Sequence, residues 1–364
     1  MILHRYFALR FLRSLGMVLA VFLILLTFLD LIEQLRAFSG SSAPFGDILA
    51  LTLLNLPQSI YRIFPLIVIL ATITLFLGLA RSSEMVITRA AGRSALRSLM
   101  SPVLVMLTLG AVGVAVLNPI VAATMVEYET RAGAIRGDTT TLAIAQDGLW
   151  LRQGNANQQT VIRAKAANLD GTSLSGVSFF SFAIEGGPVR RVEAESADLV
   201  ENAWKITNAK VWPFGTSNNP EMAAAEYASY ELPSSLTADQ IRDSFGTPAS
   251  IPIWELPQFV ERLEQAGFSA RRHKVWFQTE IAQPFFLVAM VLIGAVFTMR
   301  HQRGGKTGVM VLWAILLSFG LYFVRNFAII LGENGQIPVM MAAWVPPLGA
   351  IGLALGFLLH LEDG

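Results

Sequence analysis

Side chains that could catalyse a reaction are few and scattered in this sequence. Four histidines stand far apart, none with a partner four residues away: His4, His273, His301 and His360. The chain has no cysteine, which excludes disulfides, thiolate nucleophiles and cysteine-bound metals. No serine, histidine and aspartate form a recognisable catalytic set. The sequence therefore predicts neither an enzyme nor a metal site.

A glycine-rich segment looks like the end of a phosphate-binding loop. Gly304 and Gly305 precede Lys306 and Thr307, but such a loop needs a further glycine five residues before Gly305, where Arg300 stands. It also needs a preceding strand, and an apolar helix is predicted there instead. We interpret the two glycines as a tight turn and expect this chain to bind no cofactor.

The segment SSEMVITRAAGRS, residues 82–94, has the local features of a short helix. Ser82 or Ser83 can cap its start, and Glu84 lies in the first turn, where the helix dipole favours an anion. Gly92 can end it. We therefore predict a compact helix within residues 82–92.

Two interpretations of this helix remain open. Apolar residues without an obvious membrane role expose surface on it: Met85, Val86 and Ile87. It is either a solvated loop whose arginines contact anionic lipid headgroups, or a coupling helix that inserts into a groove of a cytoplasmic motor protein. In the second case Glu84 and Arg89 would pair with the motor, since five residues place them well apart around the helix.

Other charged residues cluster near one end of the apolar segments. The cations among them are Arg36, Arg62, Arg271, Arg272, Lys274 and Arg325. One interpretation is internal pairing, for instance of Arg325 with Asp30 or Glu33. The other is a ring that receives an anionic lipid headgroup, because arginine binds phosphate in a bidentate manner.

The composition indicates which elements position these residues. The chain has 364 residues, of which 54% are apolar and 15% charged, with a net charge of +1 and a mean hydropathy of +0.54. Soluble domains average roughly a quarter charged residues, so the composition argues against a cytosolic enzyme and against a disordered chain. The small net charge provides no overall basic field for nucleic acid. The sequence predicts a membrane protein with one inserted water-soluble domain.

Charge-free stretches locate six membrane-spanning helices, because a crossing needs about 20 mostly apolar residues. They cover residues 14–29, a crossing that ends near Ala80, then 98–126, 281–299, 307–324 and 334–361. The run 48–80 contains Pro57 and Pro65 and is too long for one crossing. We therefore expect an interfacial helix up to about Pro57, followed by the second crossing.

The distribution of lysine and arginine sets the orientation. The N-terminal tail and the loops 81–97 and 300–306 hold ten of these cations, whereas the opposite short loops hold two, or three with Arg62. Short cytoplasmic loops carry the excess, so both termini are expected in the cytoplasm. The domain inserted between the third and fourth spans then lies on the other side.

The inserted domain shows strand patterns separated by turn formers. Leu174, Phe180, Phe182 and Ile184 share one parity, and Trp204-Lys205-Ile206-Thr207 alternates as well. This pattern predicts an antiparallel β sandwich or jelly roll, with a connecting helix near 256–266. Aromatic residues of both parities meet at Phe179 and Phe180. With Phe182 they form either an ordinary core or an apolar groove for acyl chains. The predicted domains are 1–126, 127–270 and 271–364.

This order of parts resembles the YjgP/YjgQ permease family, the membrane subunits of the lipopolysaccharide exporter. The resemblance covers essentially the full length. Its most specific features are the segment from Ser83-Glu84 to Ala91-Gly92 and the motif Gly148-Leu149-Trp150 at the start of the β domain. That motif is more similar to the LptG branch than to the LptF branch. Prolines of the last span, in Gln336-Ile337-Pro338 and Pro346-Pro347, add weaker support.

The resemblance implies an ABC transporter permease of the inner membrane of a Gram-negative bacterium, with a periplasmic jelly roll. Its partners would be an LptF-like permease, an LptB-like ATPase dimer that binds ATP and magnesium, and an LptC-like protein that receives the lipid. Glu84 would be the coupling acid, and Met85 to Arg89 would fill the ATPase groove. Relatives often carry a lysine where this chain has Asp30, and Arg36 lies two turns further on.

Three alternatives to an LptG-like permease are kept. The chain could be the LptF-like paralogue, or a membrane-anchored envelope sensor or scaffold whose β domain binds a ligand. The third alternative, an intramembrane enzyme that acts on lipid, is weakest because no base or nucleophile stands out.

Overall fold

Long apolar stretches of the chain form long helices, because a helix satisfies its backbone hydrogen bonds within the segment itself. The computed structural model describes residues 2–40, 43–90, 92, 94–136, 141–145, 148–154, 158–168, 171–183, 187–201, 203–214, 219–234, 247–265, 269–299 and 307–363. Its helices are α1 (Ile2–Ala37), α2 (Phe45–Arg81), α3 (Glu84–Ala90), α4 (Ala95–Val112), α5 (Asn118–Arg136), α6 (Leu256–Gln265), α7 (Arg271–Thr298), α8 (Thr307–Glu333) and α9 (Val339–Asp363). A π-helical turn, Gly113–Leu117, joins α4 to α5.

Within the described residues, six helical segments are long and apolar enough to cross a membrane, which confirms the number predicted from the charge-free stretches. They are Ile2–Ala37, Phe45–Arg81, Leu96–Ile135, Arg271–Thr298, Gly308–Glu333 and Val339–His360. Three precede the strands along the chain and three follow them.

The second of these helices differs from the prediction. Pro57 and Pro65 both lie inside one continuous helix, α2, so the interfacial helix predicted before Pro57 is not separate. A proline removes one backbone donor and crowds the carbonyl four residues before it. Membrane helices tolerate this where neighbouring helices pack around the site, and Pro65 is buried in this way. The sequence rule that a proline ends a helix fails here for that reason.

The long helices belong to one compact unit, which comprises residues 1–132, 249–254 and 271–364. Helix α7 is buried along most of its length, whereas α1 and α8 expose most of theirs. Glycine permits a close approach of α4 to α7, because a Cβ at Gly110 would lie 2.8 Å from the Cα of Pro284. Such small-residue contacts are typical of helices that pack within membranes.

The β strands form the second compact unit, residues 133–248 and 255–270. They are β1 (Thr141–Ala145), β2 (Gly148–Gly154), β3 (Gln158–Ala167), β4 (Ser173–Ala183), β5 (Pro188–Val200), β6 (Ala203–Pro213) and β7 (Ala225–Pro233). All pairs are antiparallel, and the order in the sheet is the order in the chain. One face carries a hydrophobic core around Phe179 and Trp204, onto which Phe259, Val260 and Leu263 of α6 pack.

The predicted jelly roll is not confirmed among the described strands. A jelly roll is built from Greek keys, in which strands distant in the chain become neighbours. Here each strand pairs only with the strand before it and the strand after it. The antiparallel β domain is therefore present, as a seven-stranded meander. The alternation that the sequence shows is the same for both architectures, which is why it could not separate them.

The buried face changes parity half-way along the sheet. In β4 the buried apolar residues are Leu174 at one end and Val177 and Phe179 at the other, and β6 switches likewise between Ile206 and Ala209. Gly176 and Asn208 lie at these switches with left-handed backbones, φ 61° and 52°. A left-handed residue breaks the strict alternation of sides. The sequence prediction that Leu174, Phe180 and Phe182 share a face is wrong for this reason. Ile184, the fourth residue of that set, lies outside the described residues.

Candidate functional site

The predicted short helix between the second and third long helices is present as α3. It begins at Glu84, shortly after α2 ends. Ser83 has a left-handed backbone (φ 57°), and its carbonyl accepts the N–H groups of Val86 and Ile87 at 3.1 and 3.2 Å. Gly92, two residues past the end of α3, is also left-handed (φ 74°). A turn at each end thus separates α3 from its neighbours.

The carboxylate of Glu84 accepts hydrogen bonds from three side chains of this same chain. Tyr6 Oη donates at 2.6 Å, Arg10 Nη1 contacts both carboxylate oxygens at 2.6 Å, and Ser82 Oγ donates at 2.7 Å. Arg10 also donates to the Tyr6 hydroxyl and lies 5.6 Å from its ring centroid. Glu84 therefore connects the start of α3 to the N-terminal part of α1.

These donors control the charge of Glu84. Burial alone would raise the pKa of this carboxyl, but the hydrogen bonds from Tyr6, Arg10 and Ser82 outweigh burial and lower the pKa below its ordinary range. Arg10 and Glu84 keep about a third of their side-chain surface exposed, 30% and 31%. Glu84 is therefore an anion at neutral pH, at the border between protein and solvent.

The three apolar residues after Glu84 divide between two environments. Met85 is 6% exposed and packs into the core of the helical unit, whereas Val86 and Ile87 are 44% and 67% exposed. The expectation that all three offer free apolar surface is wrong for Met85, because it packs against the long helices. A groove of about 260 Å³ lies between α1 and α3 and includes Leu3, Phe7 and Ile87 in its lining. The side chain of Arg89, Ala91 and the segment 300–306 lie outside the described part of the chain.

The predicted outer cations also divide into two groups. Arg325 donates to Gln283 Oε1 at 2.5 Å and lies 4.5 Å from the ring centroid of Phe286, and Arg271 donates to the carbonyls of Gly332 and Ile337, each at 2.6 Å. These two arginines thus hold neighbouring helices. The other four stand at the surface or half-buried: Arg36, Arg62, Arg272 and Lys274.

The proposed internal pairing of Arg325 with Asp30 or Glu33 is not what the structure shows. Asp30 is buried and accepts a hydrogen bond from Asn55 Nδ2 at 2.7 Å. Arg325 reaches Gln283 on α7 instead, and it interacts electrostatically with Glu280 one turn earlier on that helix. The sequence could not indicate the contact of Arg325 with α7. Glu280 stands alone at the edge of an apolar run, and its partners are distant in the chain.

Glu280 is the centre of a buried polar network that the sequence did not reveal. It is 2% exposed and accepts hydrogen bonds from Tyr61 and, at 3.2 Å, from Asn118 Nδ2. Asn118 Oδ1 in turn accepts the N–H of Ile253 at 2.9 Å. The network joins α2, α5 and α7 to the segment before α6. A single acid within an otherwise apolar run is the only signal that could have pointed to it.

An apolar cavity of about 610 Å³ lies between α7, α8 and α9. Among the described residues, its lining contains no charged side chain and includes Phe297, Leu321, Met341, Leu353 and Phe357. Such a cavity can hold hydrocarbon and has no group that could catalyse a reaction.

Phe179, Phe180 and Phe182 do not share one surface. Phe179 is fully buried and packs edge-on against Trp204, with ring centroids 6.2 Å apart. Phe182 is 36% exposed, and Phe180 lies under the guanidinium of Arg191 at 5.5 Å, on the other face of the sheet. Only Phe180 and Phe182 are therefore available to a ligand of the exposed face.

Residues 5–361 match the family described as lipopolysaccharide export system permease LptF/LptG. The chain belongs to this family. An LptF/LptG permease is a transport subunit and not itself an enzyme, in keeping with the apolar cavity. Its six apolar helices fit an inner-membrane protein.

Curated LptF/LptG relatives align with nearly the whole chain. The lipopolysaccharide export system permease protein LptG of Haemophilus influenzae is 24% identical over 353 residues, which is 90% of this chain and 92% of the relative. The protein of the same name from Escherichia coli K12 is 25% identical over 367 residues, 99% of this chain and 98% of the relative.

Proposed function

We propose that this permease is the LptG-type subunit of an ATP-driven exporter that extracts lipopolysaccharide from the inner membrane and passes it to a periplasmic bridge. The observation that carries the proposal is the family match over residues 5–361. The two relatives named LptG support the choice of branch. In this proposal the six apolar helices cross the membrane, both termini and α3 lie in the cytoplasm, and the β domain lies in the periplasm.

The apolar interior suits this task for a physical reason. Exposing a lipid chain to water costs about 0.8 kcal/mol per CH₂ group, so a chain of about a dozen carbons costs ~10 kcal/mol. A carrier avoids that cost when it offers apolar surface throughout the passage. The cavity between α7, α8 and α9 supplies such surface in the helical unit. Phe180 and Phe182 are the proposed acyl-chain contacts in the β domain.

The anionic headgroup needs cations that internal contacts leave accessible. We assign this role to the exposed arginines Arg36, Arg62 and Arg272. Arg271 and Arg325 already bind carbonyl and amide oxygens, so their role is to hold helices. This assignment narrows the set of cations suggested by the sequence.

The energy of ATP hydrolysis must be supplied by a partner protein, because no nucleotide site is predicted in this chain. We propose that α3 docks into a groove of an LptB-like ATPase dimer, which binds ATP and magnesium, and that exposed Val86 and Ile87 enter the groove. A second, LptF-like permease and an LptC-like protein would complete the assembly. Arg89 is the proposed charged contact to the ATPase.

The decisive experiment is gentle purification of the tagged chain, followed by identification of its companions and reconstitution with lipopolysaccharide. We expect an ATPase and a second six-span permease, and ATP-dependent release of lipopolysaccharide to a soluble acceptor. If the companion permease is itself of the LptG branch, this chain is the LptF-type subunit. Absence of any ATPase together with absence of lipid release would contradict the proposal.

A matched pair of variants tests the docking surface. Ile87→Asp should reduce the amount of co-purified ATPase, because it places a charge in an apolar contact. Met222→Asp changes a residue that is 83% exposed in the β domain and should leave ATPase recovery unchanged. Equal recovery of ATPase with both variants would show that α3 docks differently.

A further inference from the structure

The chain returns to the helical unit for six residues just before it enters α6. Residues 249–254 belong to that unit, whereas residues 133–248 and 255–270 belong to the β domain. The Ile253 N–H donates to Asn118 Oδ1 at 2.9 Å, and Trp254 Nε1 donates to the carbonyl of Ala115 at 3.1 Å. Segment 249–254 is therefore bound to the third apolar helix immediately before α6 begins.

The acceptors of this first anchor lie at the π-helical turn between α4 and α5. Ala115 is within the turn Gly113–Leu117, and Asn118 follows it directly. Such turns are rare and frequently mark functional sites. Asn118 and Ile253 are 2% and 4% exposed, so their hydrogen bond is shielded from solvent. Asn118 Nδ2 also donates to Glu280 of α7 at 3.2 Å, which ties the anchor to the buried centre of the helical unit.

A second anchor lies where the chain leaves the β domain again. Arg271, the first residue of α7, donates to the carbonyls of Gly332 and Ile337, each at 2.6 Å. Gly332 is near the end of α8, and Ile337 lies in the connection to α9. The helical unit thus holds residues 255–270, which contain α6, at both ends.

Between the two anchors, α6 packs on the apolar core of the β sheet. Leu263 is 1% exposed and belongs to the same core as Phe179 and Trp204, and Phe259 and Val260 pack against that core. The first anchor is on α4 and α5, and the second is on α8 and α9. A change in the spacing of these helices must therefore displace α6 relative to the sheet or strain it.

We propose that α6 transmits rearrangements of the membrane helices to the apolar core of the β domain. Asn118, Trp254 and Arg271 are positioning residues in this proposal, because they set where the linked segment begins and ends. Each movement of the helices shifts α6 and changes how closely it covers the core. The inference rests on the proposed function, because it assigns the route by which ATP-driven movement reaches the β domain.

Added slack in the link tests this route without altering either anchor. Two glycines inserted between Trp254 and Glu255 leave the anchoring residues and α6 unchanged and add flexible length. In the reconstituted complex, this variant should keep normal ATPase recovery and lower ATP-dependent lipopolysaccharide release by about fivefold or more, the lower range of couplings between protein sites. The same insertion after Phe214, between β6 and β7, should leave release unchanged. Release at the wild-type rate by the first variant would overturn the proposal.

Substitutions at the anchors separate transmission from stability. Trp254→Phe removes one donor from a side chain that is 70% exposed, so the fold should tolerate it, and release should fall. Trp313→Phe, at a 58% exposed position of α8, is the matched control and should release lipid normally. Arg271→Lys keeps the charge and loses the planar fork that reaches two carbonyls, so release should fall here too.

Combining the two anchor variants tests whether the anchors act through one link. Trp254→Phe with Arg271→Lys should release lipid about as slowly as the slower single variant, because the link fails when either end is free. Losses that add in free energy would mean that the two sites act independently and would overturn the proposal.

Hydrogen exchange shows whether α6 itself responds to the ATPase. With a non-hydrolysable ATP analogue bound, the exchange of residues 255–265 should change in the wild type and stay constant in the variant with two glycines after Trp254. An equal change in both would exclude the link as the route. Failure of the proposed function itself looks different, since the wild-type chain would then carry no ATPase and release no lipid.

Discussion

Glu84 shows how neighbouring donors fix the charge of a partly exposed carboxyl group. Hydrogen bonds from Tyr6, Arg10 and Ser82 lower its pKa despite partial burial. A group whose pKa is lower in the folded state stabilises that state above its unfolded pKa, which is about 4.3 for glutamate. That contribution is lost as the pH falls through the lowered folded pKa. The contact between α1 and α3 is therefore fully present at neutral pH.

Acidification should accordingly release α3 from α1. We expect backbone amides of residues 84–90 to exchange hydrogen faster, relative to α2, once the pH falls below the ordinary glutamate pKa. Hydrogen exchange measured by mass spectrometry as a function of pH checks this, with Glu84→Gln as the control. The control should show no such step. A step of equal size in both proteins would show that another group causes it.

The buried amide of Asn118 should matter for stability. Asn118→Ala leaves the Ile253 N–H and one side of Glu280 without their hydrogen-bond partner. Loss of a partner by a buried polar group costs about 1–3 kcal/mol. Thermal unfolding in detergent should show a lower midpoint for Asn118→Ala than for Asn334→Ala, an exposed asparagine. Equal midpoints would mean that water replaces the amide.

The sequence predicted the acid of α3 and not its partners. Residue type and position at a helix start single out Glu84 as a candidate, because both are local properties. Arg10 lies 74 residues away, and only packing of α1 against α3 brings the two together. The same holds for Tyr61 and Glu280, which are 219 residues apart. Apolar periodicity locates the helices but does not fix which faces meet.

At the scale of elements, the change of parity in the sheet depends on left-handed residues. Gly176 has φ 61°, and a Cβ there would lie 2.8 Å from Lys165 Cδ. Alanine at such a backbone costs about 1–2 kcal/mol. Gly176→Ala should therefore lower the resistance of the β domain to proteolysis. Gly187→Ala is the matched control, because nothing lies within 4 Å of its Cβ; a similar effect of both would contradict this explanation.

Elements were predictable where one local rule decides. Long apolar runs gave six helices, and α6, Leu256–Gln265, lies where the sequence predicted a helix near 256–266. The sequence failed where rules compete or where partners are distant. The prolines of α2 do not end the helix, because packing compensates for the lost hydrogen bonds. The alternation of apolar residues could not distinguish a meander from a jelly roll, because both architectures require it.

For the whole molecule, the absence of native cysteine allows a direct test of the proposed orientation. Ile87→Cys on α3 and Met222→Cys in the β domain are each at exposed positions, 67% and 83%. A membrane-impermeant maleimide, added to cells with a permeabilised outer membrane, should label only Met222→Cys. Disruption of the inner membrane should expose both. Labelling of Ile87→Cys in intact cells would reverse the proposed orientation.

The composition already separates the chain into an apolar part and a water-soluble part, and each is a compact unit. The sequence does not indicate which helix is the most buried one in the helical unit. Helix α7 takes that place although α1 and α2 contain more strongly apolar stretches. Burial of α7 follows from contacts with several helices at once, which no single stretch of sequence encodes.

The meander order of the strands has a consequence for biosynthesis. Each strand pairs with the one made just before it, so the sheet can assemble hairpin by hairpin during translation. The bundle of helices cannot assemble in the order of translation. Its buried central helix, α7, is translated after the seven described strands. The faces of the first helices that later pack on α7 therefore have no partner while the β domain is translated and folds. Any factor that shields nascent membrane segments would act on this chain during that interval.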